Sequence, residues 1–455
     1  MKKEADLLIK GAKVVIPKSG EKATAPHLHR PMKVELLDVA IRGKKIVALG
    51  SDTSRFDAEK ELQARGLHLL PGLIDTQVHF REPGFPQKED LSSGTRAALL
   101  GGITSIFEMP NTQPPTLTAI DLADKLNRAK GRSWCHYAFY IGADLSNYEK
   151  LPDLENIPGC VGIKIFLGSS TGHLVLESPE ALEFVFKNCK KRISFHAEDE
   201  TRLKERFHIA QESEGNPAAH PVWRDAQVAF IATQRVVALA KKYNRKIHIL
   251  HVTSKEEIEF LKDYKGLVSV ETTPQHLTLS APECYEKLGT LVQMNPPIRT
   301  AEHKAALWEG VANGTVDVLG SDHAPHTLGE KNQPYPRSPS GMTGVQTMLP
   351  LMLDHCSAGR ISIERIVQLL ADQPHRNWGI KNKGVIDEGF DADLTFVDLK
   401  KNRTIDNKWI ASKCGWTPFH GVKVTGWPVG TLLNGEVVMR DDEIIGKPSG
   451  LPLQF

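Results

Sequence analysis

The sequence predicts an α/β protein with a (β/α)8 TIM-like barrel and a small β-sandwich domain built from both chain ends. Three observations support this fold class. Eight short apolar runs, each typical of a buried parallel strand, recur between residues 69 and 319, and helical stretches separate them. Both ends of the chain show shorter-period alternation with glycine turns instead. No glycine-rich phosphate-binding turn follows any of the runs, which argues against a doubly wound sheet.

The chain ends are expected to pair with each other beside the barrel. Near the start, ADLLIKGAKVVIP and KVELLDVAIRGKKIVALG alternate as a half-exposed sheet does, and GFDADLTFVDL returns to that pattern late in the chain. We therefore predict three segments. Residues 1–65 form the first part of the sandwich, 66–380 the barrel and 381–455 the second part of the sandwich.

Eight candidate strands account for the barrel. In order they are Leu69–Ile74, Ile103–Met109, Tyr137–Ile141, Val161–Leu167, Ile193–Phe195, Lys246–Leu250, Leu267–Glu271 and Val316–Leu319. Candidate helices between them include Leu91–Leu100, Ala119–Lys130, Pro179–Lys190, Arg224–Tyr243 and Lys255–Tyr264. Pro179 suits a first helical turn with Ser178 as its N-cap. Repeated strand-then-helix units of this kind form parallel barrels.

Charge and cysteine content narrow the class of protein. The chain has 57 lysines and arginines against 55 aspartates and glutamates, a net charge of +2, which indicates neither a nucleic-acid nor a membrane partner. Its six cysteines are scattered without a CxxC pair, as expected for reduced thiols in the cytoplasm. No apolar signal segment and no membrane-length apolar run is present. We expect a cytoplasmic protein that acts on a small molecule.

Polar side chains that bind metals or anions follow the predicted strands. The first strand leads into His79 and Arg81, within PGLIDTQVHFREPG. Later strands supply, in order, Lys164, His196, His251, His276 and Asp322. One histidine after a strand is more often structural than a ligand. A whole set at the end where barrel enzymes hold their chemistry predicts a metal site.

The residue types narrow the choice of metal ion. Imidazole and carboxylate without thiolate favour Zn²⁺, with Mn²⁺, Co²⁺ and Fe²⁺ as alternatives. Lys164 is the unusual member, because a protonated lysine is disfavoured among divalent cations. A neutral amine can take up CO₂ and become a carbamate, an anionic ligand able to bridge two metals. A salt bridge or a lysine that extends to solvent is the alternative, and the sequence leaves both open.

At these residues the chain resembles the amidohydrolase superfamily and, within it, the dihydroorotases. The matching segments run from about residue 70 to 400 and are PGLIDTQVHFREPG, EMPNT, GIKIFLGSSTG, HAED, HVTS, QMNPPIR, SDHAPH and GFDADLTFVDL. The combination of HFREPG, MPNT and DHAPH is specific. The resemblance implies the same barrel with a sandwich from both chain ends. It also implies the reversible cyclisation of N-carbamoyl-L-aspartate to L-dihydroorotate in pyrimidine biosynthesis, and we expect a homo-oligomer.

The resemblance assigns a role to each site residue. The implied metal ligands, for one or two Zn²⁺, are His79, His196, His251, Asp322 and a carbamylated Lys164. Asp322 would also be the catalytic acid and base. The implied substrate contacts are Arg81 and Asn111 at the carboxylate, helped by His326, and Asn295 at the pyrimidine ring. Arg81 favours dihydroorotate over hydantoin or allantoin, since a guanidinium suits a carboxylate.

Gln77 departs from the family pattern. Related enzymes have His-x-His after the first strand, whereas this chain has Gln77-Val78-His79, and an amide oxygen is a weaker ligand for zinc. Three consequences are open: a weakened two-metal site, a single metal at Lys164, His196 and His251, or a chain of low activity. The other named site positions are all intact, which favours an active enzyme. The third consequence suggests a partner of aspartate carbamoyltransferase, and an allantoinase- or hydantoinase-like activity is the other alternative.

Overall fold

Strands of two sheets organise the chain. A computed structural model describes residues 3–18, 29–51, 53, 56–170 and 174–455. The strands are, in chain order, β1 (Lys3–Pro17), β2 (Met32–Arg42), β3 (Lys45–Gly50), β4 (Phe56–Gln63), β5 (His68–Pro71), β6 (Leu73–Val78), β7 (Ile103–Glu108), β8 (His136–Gly142), β9 (Cys160–Phe166), β10 (Ile193–His196), β11 (Ile247–Ile249), β12 (Val268–Thr272), β13 (Val318–Leu319), β14 (Leu394–Thr404), β15 (Lys423–Leu433), β16 (Glu436–Arg440) and β17 (Glu443–Ile444).

The eight strands β6 to β13 form the barrel in sequence order, each parallel to the next. The barrel closes where Val78, at the end of β6, forms a parallel bridge with His323, just beyond β13. The amide of His79 donates to the carbonyl oxygen of His323 there, at 2.7 Å. This closure confirms the predicted barrel, and it brings the first and last strand ends together.

Helices alternate with the barrel strands and cover the outer wall. They are α1 (Leu91–Leu100), α2 (Ala119–Ala129), α3 (Leu151–Leu154), α4 (Pro179–Asn188), α5 (Glu200–Gln211), α6 (His220–Trp223), α7 (Ala226–Tyr243), α8 (Lys255–Leu261), α9 (Pro274–Thr278), α10 (Glu283–Leu288), α11 (Ala301–Asn313), α12 (Leu328–Lys331), α13 (Met348–Ser357), α14 (Ile363–Val367) and α15 (Gln373–Trp378). Ser178 caps α4 ahead of Pro179, as predicted. Among the described residues, no helix has the length and apolar character to cross a bilayer.

Both chain ends share the second sheet, which has nine strands. β1 pairs with β2 in antiparallel and with β4 and β5 in parallel orientation. β14 joins β5 on its other side and continues antiparallel through β15, β16 and β17. The predicted β domain from both ends is therefore present, with its strands hydrogen-bonded into one sheet. The boundaries at 66 and 380 stay a prediction.

Most predicted elements differ from the observed ones by a few residues at an end, and two of these differences matter for the site. The run Leu69–Ile74 is divided at Gly72 between β5 of the second sheet and β6 of the barrel. The chain crosses between the two sheets at Gly72. A side chain at this position would collide with Thr104 and Asp393, so only glycine fits there. Hydropathy misses this division because both halves are buried. The helix predicted at Arg224 begins at Ala226, since Asp225 caps it.

Candidate active site

A pocket opens at the C-terminal ends of the barrel strands, with an empty volume of about 340 Å³. Its lining residues come from most of the barrel strand ends and are Gln77, His79, Arg81, Asn111, Phe166, Ser170, His196, His251, Asn295, Asp322, Ala324, Ser340 and Gly341. All the predicted site residues are in this set except Lys164 and His326. Arg81, His251 and Asp322 have positive φ angles of 61°, 37° and 45°. Such backbone strain in residues other than glycine concentrates at functional sites.

One corner of the pocket joins the first and last strand ends. The Nε2 atom of His79 lies 3.2 Å from Oδ1 of Asp322. The other ring nitrogen, Nδ1, donates to Oδ1 of Asn111 at 2.7 Å. Burial lowers the pKa of His79, so the ring is neutral and Nε2 presents a lone pair to Asp322. Two lone pairs this close need a cation or a proton between them.

The opposite corner joins β10 and the loop after β11. Nδ1 of His196 lies 3.0 Å from Nε2 of His251. The Nε2 atom of His196 donates to Glu198 at 2.9 Å, which leaves a lone pair on Nδ1. Burial lowers the pKa of both imidazoles, so both are neutral near pH 7. Two ligands of a tetrahedral zinc ion lie roughly 3.3 Å apart, which is close to the spacing in each corner.

Lys164 lies on β9 and is fully buried. Nothing in the described part of the chain forms a hydrogen bond with its Nζ atom, which lies 4.4 Å from the centre of the Phe166 ring. Burial lowers the pKa of this amine to about 7. The salt-bridge and solvent-exposed alternatives for Lys164 are therefore wrong in this structure. With this pKa, about half of the amine is uncharged at pH 7, and the uncharged form is the one that reacts with CO₂.

The donor set suits a divalent cation, although it is not a preformed cage. Within the described residues, no three histidine, cysteine, aspartate or glutamate side chains converge on one point. The donors form two pairs instead, and the unpartnered Lys164 amine belongs to neither pair. His276, which follows β12, is not a donor to this site. Its ring nitrogens contact Thr273 at 2.8 Å and the carbonyl oxygen of Pro296 at 3.1 Å, so it is structural.

Arg81 supplies a buried positive charge at the pocket wall. Only 3% of the residue is exposed, and its Nε atom donates to the carbonyl oxygen of Pro325 at 3.2 Å. Burial lowers its pKa to about 10, so it stays protonated at neutral pH. Arg81 has no ion pair with any carboxylate in the described ranges. A buried cation without a counter-ion is an anion-binding group.

His326 contacts this guanidinium from the rear of the pocket. Its Nε2 atom lies 3.2 Å from Nη2 of Arg81 and 3.1 Å from the carbonyl oxygen of Ser340. Burial, with the charges of Arg81 and Lys88, lowers its pKa far enough to keep the ring neutral. The ammonium of Lys88 donates to Nδ1 at 3.2 Å, which leaves the ring hydrogen on Nε2. His326 therefore donates from Nε2 to the carbonyl oxygen of Ser340 and lies beside Arg81.

Asn295 has its amide orientation set by a histidine. The Nε2 atom of His220 donates to Oδ1 of Asn295 at 3.0 Å, and Nδ2 of Asn295 donates to the Ser170 hydroxyl at 3.3 Å. Asn295 therefore has its amide nitrogen on the side of the pocket. His220 has no signal in the sequence, because nothing in the local pattern around it distinguishes it from an ordinary helix residue.

Two further residues support the metal-capable corner and were also missed. Glu198 accepts from His196 and is held in turn by Arg224, whose Nη2 lies 2.6 Å from Oε2. Arg224 lowers the pKa of Glu198, because it stabilises the charged form. A carboxylate two residues beyond a strand-end histidine, in HAED, was the available signal. The role of Arg224 was missed because the sequence pattern assigned this residue to the helix predicted at Arg224–Tyr243.

A parallel barrel with imidazole, amine and carboxylate side chains at the C-terminal ends of its strands is typical of barrel enzymes. Comparison with known proteins is more specific. The model described as "Amidohydrolase family" matches residues 68–438. The chain therefore belongs to the amidohydrolase family.

The sequence relatives are proteins named dihydroorotase. The chain is 36% identical over 421 residues to the dihydroorotase of Pyrococcus horikoshii, and the aligned part covers 92% of each of the two chains. It is 34% identical over 415 residues to that of Halobacterium salinarum, covering 90% of this chain and 94% of the relative. By structure it is similar to the L-hydantoinase (dihydropyrimidinase) of Arthrobacter aurescens, with a TM-score of 0.91 and 28% identity. That match covers 99% of this chain and 100% of the hydantoinase.

Proposed function

We propose that the chain is a dihydroorotase that interconverts N-carbamoyl-L-aspartate and L-dihydroorotate. The observation that carries this proposal is Arg81, a buried guanidinium with no carboxylate partner among the described residues, at the wall of a pocket that also holds the donor pairs. Dihydroorotate has a carboxylate on the ring whose amide is cleaved. A planar guanidinium can bind it with two parallel hydrogen bonds.

The neighbours of Arg81 suit the same carboxylate. Asn111 accepts from His79 through Oδ1, which directs its amide nitrogen away from that ring. His326 lies beside the guanidinium, with its Nε2 atom 3.2 Å from Nη2 of Arg81. Asn295, with its amide nitrogen on the pocket side, would donate to a carbonyl oxygen of the pyrimidine ring. Fixing a small ring at several points supplies the orientation that an intramolecular-like reaction requires.

The proposed cofactor is Zn²⁺. His79 and Asp322 would hold it in one corner, and His196 and His251 in the other, with Lys164 as a carbamate between the corners. Two observations support this assignment: the buried Lys164 amine has no hydrogen-bond partner among the described residues, and the donor atoms of each corner lie close together. When bound, the cation supplies Lewis acidity, which lowers the pKa of water and polarises an amide carbonyl.

Asp322 is the proposed acid and base. Its Oδ1 atom is held by Gln77 and faces His79, at the centre of the first corner. In the hydrolytic direction it accepts the proton of the attacking water and delivers it to the ring nitrogen as the C–N bond breaks. In the reverse direction it takes a proton from the carbamoyl nitrogen and returns it to the departing water.

Ring opening of L-dihydroorotate by the purified chain tests the proposal. Loss of ultraviolet absorbance should be seen with added Zn²⁺ and should fall after chelation. Hydantoin, allantoin and dihydrouracil, which lack the carboxylate, serve as controls and should turn over far more slowly. Faster turnover of any of them than of dihydroorotate would reject the substrate assignment.

The structural likeness to L-hydantoinase motivates hydantoin as the second candidate substrate. Arg81 argues against it, because hydantoin offers no anion to this buried charge. A low-activity partner of aspartate carbamoyltransferase, motivated by Gln77, is the third hypothesis. It predicts no turnover at full metal loading and co-purification with the transferase.

For the active enzyme we expect a cytoplasmic homo-oligomer. Light scattering of the purified chain would test the oligomeric state.

A further inference from the structure

Gln77 contacts the proposed acid and base directly. Gln77 and His79 are two residues apart at the end of β6, so their side chains lie on the same side of the strand. Both are buried, with 1% and 7% of each residue exposed. The Gln77 amide lies 3.0 Å from Oδ1 of Asp322, the same oxygen that faces His79. Two side chains, those of Gln77 and His79, therefore meet one carboxylate oxygen of Asp322.

The chemistry of Asp322 sets the orientation of this amide. A carboxylate oxygen only accepts hydrogen bonds, so the Gln77 atom that meets it must be Nε2. Gln77 thus brings a hydrogen to the corner, not a lone pair. Its Oε1 atom is turned away and has no hydrogen-bond partner in the ranges that the structure describes. An N–H group that occupies Oδ1 competes with any cation that would bind there.

The two corners are therefore unequal as metal positions. The corner of His196 and His251 has two imidazole nitrogens 3.0 Å apart, and Glu198 accepts from the other nitrogen of His196. The corner of His79 and Asp322 has one imidazole and one oxygen that already accepts from Gln77. Zinc prefers imidazole to a neutral amide oxygen. The corner of His196 and His251 is thus the stronger metal position.

We infer that this chain holds one divalent cation tightly, at His196, His251 and Lys164, and that Gln77 replaces a second cation by a hydrogen bond to Asp322. In this arrangement Gln77 is a positioning residue: its amide holds the Asp322 carboxylate beside the substrate. Loss even of an outer-shell partner weakens metal affinity by about 10–100-fold. The His79 corner should bind zinc at least on the order of 100-fold more weakly than the other corner.

This inference rests on the proposed metal dependence and is independent of the substrate. The full chain is loaded with excess ZnCl₂ in the presence of bicarbonate, desalted into metal-free buffer, and its zinc content is measured by plasma mass spectrometry. The expected ratio is one zinc per chain. An anomalous difference map from a zinc-loaded crystal should then show one peak, beside His196 and His251.

Variants at Gln77 separate its two roles. Gln77→His should raise the ratio to two, because it adds an imidazole to the weak corner. Gln77→Ala should keep one zinc and lower turnover, because Asp322 loses its hydrogen bond. Gln275→His is the matched control: Gln275 is also buried, donates to the carbonyl oxygen of Ser321 at 2.7 Å and has an unpartnered Oε1. It should keep the ratio of one.

The metal count decides the inference without turnover. Two zinc ions in the natural chain, none, or a single peak beside His79 and Asp322 would overturn it. A loss of zinc in Gln77→Ala would do the same, since it would make Gln77 a ligand. If Gln77→His does not fold, the natural chain and Gln77→Ala still decide. One zinc per chain without dihydroorotate turnover would reject the proposed substrate and leave this inference standing.

Discussion

Replacing Arg81 by methionine should remove most of the selectivity for a carboxylate substrate. Methionine fills a similar length without charge, and the site is closed to solvent, since 3% of Arg81 is exposed. Truncating one partner of a buried charge pair costs about 2–5 kcal/mol. At about 1.4 kcal/mol per factor of ten, kcat/KM for dihydroorotate should fall roughly 30-fold to several thousand-fold. The carboxylate does not react, so most of the loss should be in KM.

The assay is ring opening at several dihydroorotate concentrations, with the zinc content of each sample measured. The change also removes the donor to the carbonyl oxygen of Pro325, which costs about 1 kcal/mol of stability, so thermal melting verifies the fold. Arg192→Met is the control, because Arg192 is a half-buried arginine that donates to the carbonyl oxygen of Ile247 and does not line the pocket. An unchanged KM for dihydroorotate in Arg81→Met would refute the assignment of this charge.

Three further changes test the catalytic group, the metal support and a buried lysine. Asp322→Asn should lower turnover by about 10²–10⁴-fold with an unchanged circular dichroism spectrum, and near-normal turnover would exclude Asp322 as acid and base. Glu198→Gln should weaken zinc binding by about 10–100-fold in a chelator competition, because His196 loses a charged acceptor; equal affinity would contradict that role. Burial lowers the pKa of Lys331 to about 7, whereas the value in an unfolded chain is about 10.4. Between these two pH values the unfolded state binds more protons than the folded state, so the free energy of unfolding rises with pH. Lys331→Met should remove roughly 2 kcal/mol of the rise in unfolding free energy between pH 7.5 and 9, and parallel urea-denaturation profiles of the two proteins would argue against it.

The barrel was predictable because its strands are continuous apolar runs that the chain forms in sequence order. Hydropathy reports burial but not the sheet in which a strand lies, so the division at Gly72 was missed. The start of α7 shows a related limit. Arg224 continues the helical pattern in sequence, but the Asp225 cap places it outside, where it binds Glu198.

The site was predictable in its residue types and only partly in its contacts. Strand ends of a parallel barrel meet at one end, so the positions of His79, Lys164 and Asp322 follow from the order of strands. The supporting partners do not follow, because they come from distant loops. Lys88, for example, orients His326 across 238 positions of sequence.

The amino-acid order alone established the barrel, the strand-end donors and the replacement of a histidine by Gln77. The folded chain established which atoms those donors present. Gln77 meets Asp322 across 245 positions, and the acceptor nature of that carboxylate turns the amide nitrogen inward. The lowered pKa of Lys164 likewise depends on burial by residues that are distant in sequence. Protonation and amide orientation are set by neighbours in space, which a linear pattern does not contain.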